Sequence, residues 1–176
     1  VAARTAGSAG ETDGLTLFAV DKDANGLGME NTRLVDSSMA AHVTLDGVEV
    51  DGDAVIGDVD NGWQVLSALL KAGRAGSAAE LVGVGSGAMD MTVDYLKQRK
   101  QFGRLIGEFQ ALQHRAAHLY SEMEIARAAV LKAQQLLDEG KDSADIYVSV
   151  AKAKAGRSAN LAVREGVQMH GGIGMT

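Results

Sequence analysis

With 176 residues, 46% of them apolar and 23% charged, the chain has enough material to bury a sizeable core and lies far from the composition of disordered segments. It holds no cysteine, which excludes a disulfide framework, a thiolate metal site and a cysteine nucleophile, and no proline, which favours long uninterrupted helices. The net charge of −6 is divided unevenly, −9 over residues 1–60 and +3 over residues 61–176, and the texture changes at Asp58-Val-Asp-Asn-Gly62, marking a domain boundary at 60/61.

Before the boundary the pattern is β. Leu15-Thr-Leu-Phe-Ala-Val20 is a short apolar run, and Ala41-His-Val-Thr-Leu-Asp-Gly-Val-Glu-Val50 alternates with period two around an Asp-Gly turn. About four short strands leave open edges, so this segment is too small to close a sheet by itself. Asp21-Lys-Asp23-Ala-Asn25-Gly26 matches the first half of a calcium loop, but Thr32 stands where the bidentate Glu belongs, and a plain turn is expected.

After the boundary the pattern is helical. Trp63, Leu66, Leu69 and Leu70 open a first helix behind Asn61 as N-cap, continuing to about Gln98. A second helix carries Phe109, Leu112, Leu119, Met123, Val130 and Leu137 and ends at Glu139-Gly140; a third runs from Ser143 to Gly171-Gly172. Long helices joined by short loops predict an antiparallel, up-down bundle, so the fold class is α+β: a partial antiparallel β-domain over 1–60, then a mainly α bundle over 61–176. Gly73, Gly76, Gly83, Gly85 and Gly87 lie in the first helix, where each costs about 1 kcal/mol relative to alanine, so close helix packing is expected to offset them. Gly83-Val-Gly85-Ser-Gly87 follows no strand and is not read as a dinucleotide turn, and His114 and His118, four apart, flank Arg115 where a zinc protease needs Glu.

Two stretches carry chemistry. Arg99-Lys-Gln-Phe-Gly103 with Ile106-Gly-Glu-Phe-Gln-Ala111 joins the first two helices, and Gln168-Met-His-Gly-Gly-Ile-Gly174 ends the third. Arg99 offers a planar fork for phosphate, Gln101, Gln110 and Gln168 offer amides for a base or ribose, and Gly171, Gly172 and Gly174 let backbone N–H groups approach an anion. Together they read as a split nucleotide-diphosphate cradle. The basic residues are not interleaved with aromatics, so nucleic acid is not expected as a partner. No apolar run approaches the roughly 20 residues of a membrane span, Val1-Ala-Ala-Arg-Thr5 lacks the layout of a signal peptide, and a cytoplasmic protein is expected.

In order and spacing, these motifs closely resemble the C-terminal helical domain of flavin-dependent acyl-CoA dehydrogenases. Leu17-Phe-Ala-Val-Asp21, Val43 to Val50, Ile56-Gly57 and Asn61-Gly-Trp63 resemble the second half of that family's central β-domain. The resemblance implies that the chain is a fragment lacking an N-terminal helical domain, the first half of the β-domain and the end of the bundle. It further implies FAD as cofactor, held through its adenosine diphosphate half by Arg99, Gln101, Phe102, Phe109, Gln110, Gln168, Gly171 and Gly172, and acyl-CoA as substrate, with Arg74 near it. Electron-transfer flavoprotein or a similar acceptor, and assembly as a homodimer or homotetramer, are implied as partners. The reaction implied is α,β-dehydrogenation of the thioester. No catalytic residue is expected in this chain, because its base comes from beyond residue 176 or, in some branches, from the position of Gly73; Lys71 departs from a frequent Asp. A non-catalytic paralogue or assembly subunit that retains FAD is the alternative.

Overall fold

The computed structural model describes residues 1–175 and shows an α+β chain in which short antiparallel strands precede three long helices. It divides into two units, Val1–Leu69 and the residues from Leu70 on, the division falling within the first helix.

In the first unit, β1 (Ala2–Arg4), β2 (Leu15–Phe18) and β5 (Val55–Ile56) form an antiparallel sheet with β2 at its centre, Ala2 opposite Leu17 and Leu17 opposite Ile56. Thr16 is fully buried there, and its hydroxyl is satisfied: Oγ1 lies 2.6 Å from Thr5 Oγ1 and accepts the Asp60 N–H at 2.8 Å. A separate ribbon pairs β3 (Leu27–Arg33) with β4 (Met39–Leu45), from Leu27 opposite Leu45 to Arg33 opposite Met39. All of β4 is exposed. The Asp46-Gly47 turn does not join two halves of one hairpin, as the alternation over 41–50 predicts: Asp46 N–H donates to Gly26 O, and residues 48–50 form no strand. The partner of Met39–Leu45 comes from upstream because the seven-residue pairing with β3 satisfies far more ladder groups than a three-residue return could. The expected calcium decoy is a turn, in which Asp23 N–H donates to the Asp21 carboxylate at 2.9 Å.

The first helix, α1, spans Trp63–Gln98. Gly62, not Asn61, takes its cap position: the Gly62 carbonyl accepts the Leu66 N–H while Asn61 bridges to Leu15. A Cβ on Gly62 would lie 2.9 Å from the Leu15 carbonyl oxygen, so close approach to β2 excludes a capping side chain.

In the second unit, α2 (Gln110–Asp138) and α3 (Ala144–His170) pack along their length with the rest of α1. Their core is built from Leu119, Met123 and Val130 of α2 set against Val148 and a row of alanines on α3. Small residues bring the backbones close. Gly85 of α1 is the extreme case, since a Cβ there would fall 2.7 Å from Met123 Cε and 3.3 Å from Ala159 Cα. Gly73, Gly76, Gly83 and Gly87 would meet nothing within 4 Å, so close packing accounts for Gly85 alone among the five. Polar ties lock the helices: Arg115 donates to both carboxylate oxygens of Glu165 at 2.7 and 3.0 Å, and Lys154 pairs with Glu122.

Candidate functional site

The link between α1 and α2 is a tight hairpin of β6 (Lys100–Gln101) and β7 (Arg104–Leu105). Its two turn residues, Phe102 at φ 56° and Gly103 at φ 80°, both lie in the left-handed region, as a type I′ turn requires. Glycine adopts this freely. For phenylalanine it costs about 1–2 kcal/mol. Phe102 is nonetheless 91% exposed, so burial does not explain its choice. Its ring meets Phe109 edge-on at 6.2 Å, and the Arg104 guanidinium lies 4.1 Å over the Phe109 ring.

Arg99 follows α1 directly, its N–H donating to Tyr95 O at 2.9 Å. Its guanidinium makes no hydrogen bond or ion pair with any described residue. Gln101 Nε2 donates to Lys100 O, which leaves its amide oxygen free to accept. At the end of α3, Gly171 reverses the chain at φ 65° and donates its N–H to Gln168 O. A Cβ on Gly171 or Gly172 would meet nothing within 4 Å, so both present bare backbone to open space.

These two ends converge on one cavity of about 340 Å³. It gathers Arg99, Gln101, Phe102, Phe109, Gln168, Gly171 and Gly172, seven of the eight residues expected to meet the nucleotide. Gln110, the exposed first residue of α2, lies outside this lining. Tyr95, Ile106, Leu112, Met169 and His170, which were not among the residues expected to meet the nucleotide, complete the wall. Tyr95 sits one turn before Arg99 and His170 lies inside the Gln168–Gly174 run, so helical spacing and proximity were the available signals. The cavity joins a free cation and unhindered glycine backbone to aromatic and amide walls, a donor set that fits an anionic nucleotide.

Arg74 stands apart from that cavity. Its guanidinium pairs with Asp145 at 2.9 Å, donates to Ser149 Oγ at 3.2 Å and to Leu70 O at 3.2 Å, tying α1 to α3. His114 and His118 are exposed on α2, and no group of three or more metal-ligating side chains occurs among the described residues. No helix among the described residues is long and apolar enough to cross a membrane.

Residues 60–176 match the family model of the acyl-CoA dehydrogenase C-terminal domain. The chain belongs to the acyl-CoA dehydrogenase family. Over 166 residues it is 37% identical to the short/branched chain specific acyl-CoA dehydrogenase of Bos taurus mitochondria, covering 93% of this chain and 38% of that protein. The butyryl-CoA dehydrogenase structure from Megasphaera elsdenii is similar at a TM-score of 0.91 and 29% identity, covering 99% of this chain and 46% of that one. A structure described as the electron transferring flavoprotein of Acidaminococcus fermentans matches at a TM-score of 0.91 and 34% identity, over 100% of this chain and 47% of that one. The chain thus spans less than half the length of each of these three proteins.

Proposed function

We propose that residues 61–176 form one wall of the FAD site of a flavin-dependent acyl-CoA dehydrogenase, holding the adenosine diphosphate half of the cofactor, with residues 1–60 belonging to the β-domain. The convergence of Arg99, Gln168 and the bare Gly171-Gly172 backbone on a single cavity is the observation that carries this reading. Arg99 binds the diphosphate, for which its unpaired fork is free; Gln101 and Gln168 meet polar atoms of the nucleoside, and Phe102 and Phe109 supply aromatic faces. Gln110, beside Phe109, approaches from the rim. Bound flavin supplies the acceptor for the β-hydrogen of an acyl-CoA thioester while a carboxylate takes the α-proton, giving the 2,3-enoyl thioester.

Arg74 orients the acyl-CoA from the opposite stretch of α1, held in place by Asp145. Gly73 carries no side chain and supplies no base. The same observation favours, as second reading, a non-catalytic subunit that retains FAD and oligomerises. Electron-transfer flavoprotein as acceptor and a homodimer or homotetramer are proposed with it, in a cytoplasmic setting.

The test is FAD retention. Arg99→Ala should weaken binding by about 1.5–3 kcal/mol, the scale of a charge-assisted hydrogen bond, and Arg99→Lys should recover part of that. A variant that melts lower yet binds FAD as tightly as the parent would reduce Arg99 to a helix-terminal cation and overturn the reading.

A further inference from the structure

His170 closes α3 and is held on two sides. Its ring stacks on Tyr95 with centroids 4.4 Å apart and planes 25° from parallel. Its Nδ1 lies 2.7 Å from the Gly166 carbonyl oxygen, one turn back. A carbonyl only accepts, so Nδ1 carries the proton and, in the neutral ring, Nε2 is left as a bare acceptor. Nε2 has no partner among the described residues.

The same ring belongs to two cavities. One is the nucleotide cavity; the other, of about 370 Å³, is mainly apolar and is lined by Ala88, Met91, Val163, Gly166 and Val167. Gly166 belongs only to the apolar one, whereas Tyr95 and Arg99 belong only to the polar one. The two ring nitrogens flank one carbon, Cε1, and their in-plane bonding directions diverge widely, so with Nδ1 turned to the Gly166 carbonyl, Nε2 points away from it.

We infer that His170 is a specificity-determining contact of the nucleotide cavity, its Nε2 accepting a hydrogen bond from the nucleoside end of the ligand. This rests on the FAD reading and extends it. Phosphate oxygens present only lone pairs at neutral pH, and an acceptor set against them is repelled. The donors of an adenosine diphosphate group are its ribose hydroxyls and its adenine amine, so His170 reads the nucleoside while Arg99 reads the charge. Tyr95 acts through His170 as a positioning residue, holding the ring plane while Gly166 holds its tautomer.

The experiment is calorimetric titration of the full chain with ADP, 2′-deoxy-ADP, 3′-deoxy-ADP and inosine diphosphate, which lack the two hydroxyls and the amine in turn. The wild type should prefer ADP over one of these analogues by roughly three- to ten-fold, the scale of one neutral hydrogen bond. His170→Phe keeps the stack on Tyr95 and should bind that analogue and ADP equally. His170→Asn keeps a donor toward Gly166 O without Nε2 and should lose the same discrimination, which guards against a folding defect peculiar to the Phe variant. A merely structural role would weaken all four ligands alike and leave the preference intact. Retained discrimination in both variants, or none in the wild type, overturns the His170 inference. Arg99→Ala separates the two levels: if it weakens ADP while the His170 result fails, the FAD reading stands alone, and if it leaves ADP binding unchanged, or the wild type binds no ADP, both fall.

Discussion

In the helical unit α2 and α3 press rows of alanine, Leu119, Met123 and Val148 into a shared core, whereas in residues 1–69 the buried positions are Gly14, Thr16, Leu17 and Gly62. The difference follows from how each element satisfies its backbone. A helix closes its own hydrogen bonds and needs a partner only along one stripe, so three helices can cover one another. A strand needs neighbours on both edges and a layer on its face, and a two-stranded ribbon such as β3–β4 leaves Met29, Met39, Val43 and Leu45 exposed.

The sharpest way to break this contrast is to truncate one apolar side chain in each unit. Leu119→Ala, at a position 1% exposed, should cost about 2–5 kcal/mol, while Val43→Ala, on the exposed ribbon, should stay within about 0.5 kcal/mol. Urea unfolding followed by helical circular dichroism for the first, and by Trp63 fluorescence for the second, measures both. Comparable losses would show that the ribbon is packed in solution.

The glycines of α1 refine the comparison within one helix. Gly85→Leu should destabilise by about 1–3 kcal/mol by overpacking against Met123 and Ala159, whereas Gly83→Ala should stabilise by roughly 0.5–1 kcal/mol, because its Cβ meets nothing and the unfolded chain loses freedom. Opposite signs in melting temperature are the expected outcome; two losses would mean that the open face of α1 is covered.

At the hairpin, stability and function should part. Phe102→Asn suits the left-handed turn and should raise stability by roughly 0.5–1 kcal/mol while weakening nucleotide binding, since an exposed ring in a strained position is held for something other than the fold. A variant gaining stability at unchanged ADP affinity would remove Phe102 from the site.

The smallest effect is electrostatic. The hydrogen bond from Lys154, aided by its charge and by His118, holds the Glu122 carboxyl below the ordinary carboxylate range against the opposing effect of burial. A depressed folded-state value adds stability above the unfolded carboxyl value, and that increment disappears as pH falls through the lowered one. Denaturation midpoints of the wild type and Glu122→Gln should therefore differ at neutral pH and converge in the acid range; parallel curves would show that the pair contributes nothing.

Much of the scaffold was legible beforehand. Apolar spacing at three and four residues and the Gly140 and Gly171 stops located all three helices, because helix boundaries are local events written in a few neighbouring residues. The meeting of the two polar stretches was partly legible as well, since seven of the eight residues expected to meet the nucleotide line one cavity. Strand pairing was less so: the Asp46-Gly47 turn pointed to a hairpin that does not form, since the true partner of β4 lies upstream in β3.

By itself, then, the sequence determined the α+β order, the points where the helices stop and the chemical character of the two polar stretches, all of which depend on residues within a turn or two of one another. Only the tertiary structure decided that Gly85, of the five helical glycines, is a packing contact, that Gly62 displaces Asn61 at the start of α1, and that Tyr95 and Gly166 clamp His170 from two helices. Those outcomes turn on distances between groups far apart in the chain. A glycine against Met123 and a glycine against open space are the same letter until the opposing helix is in place.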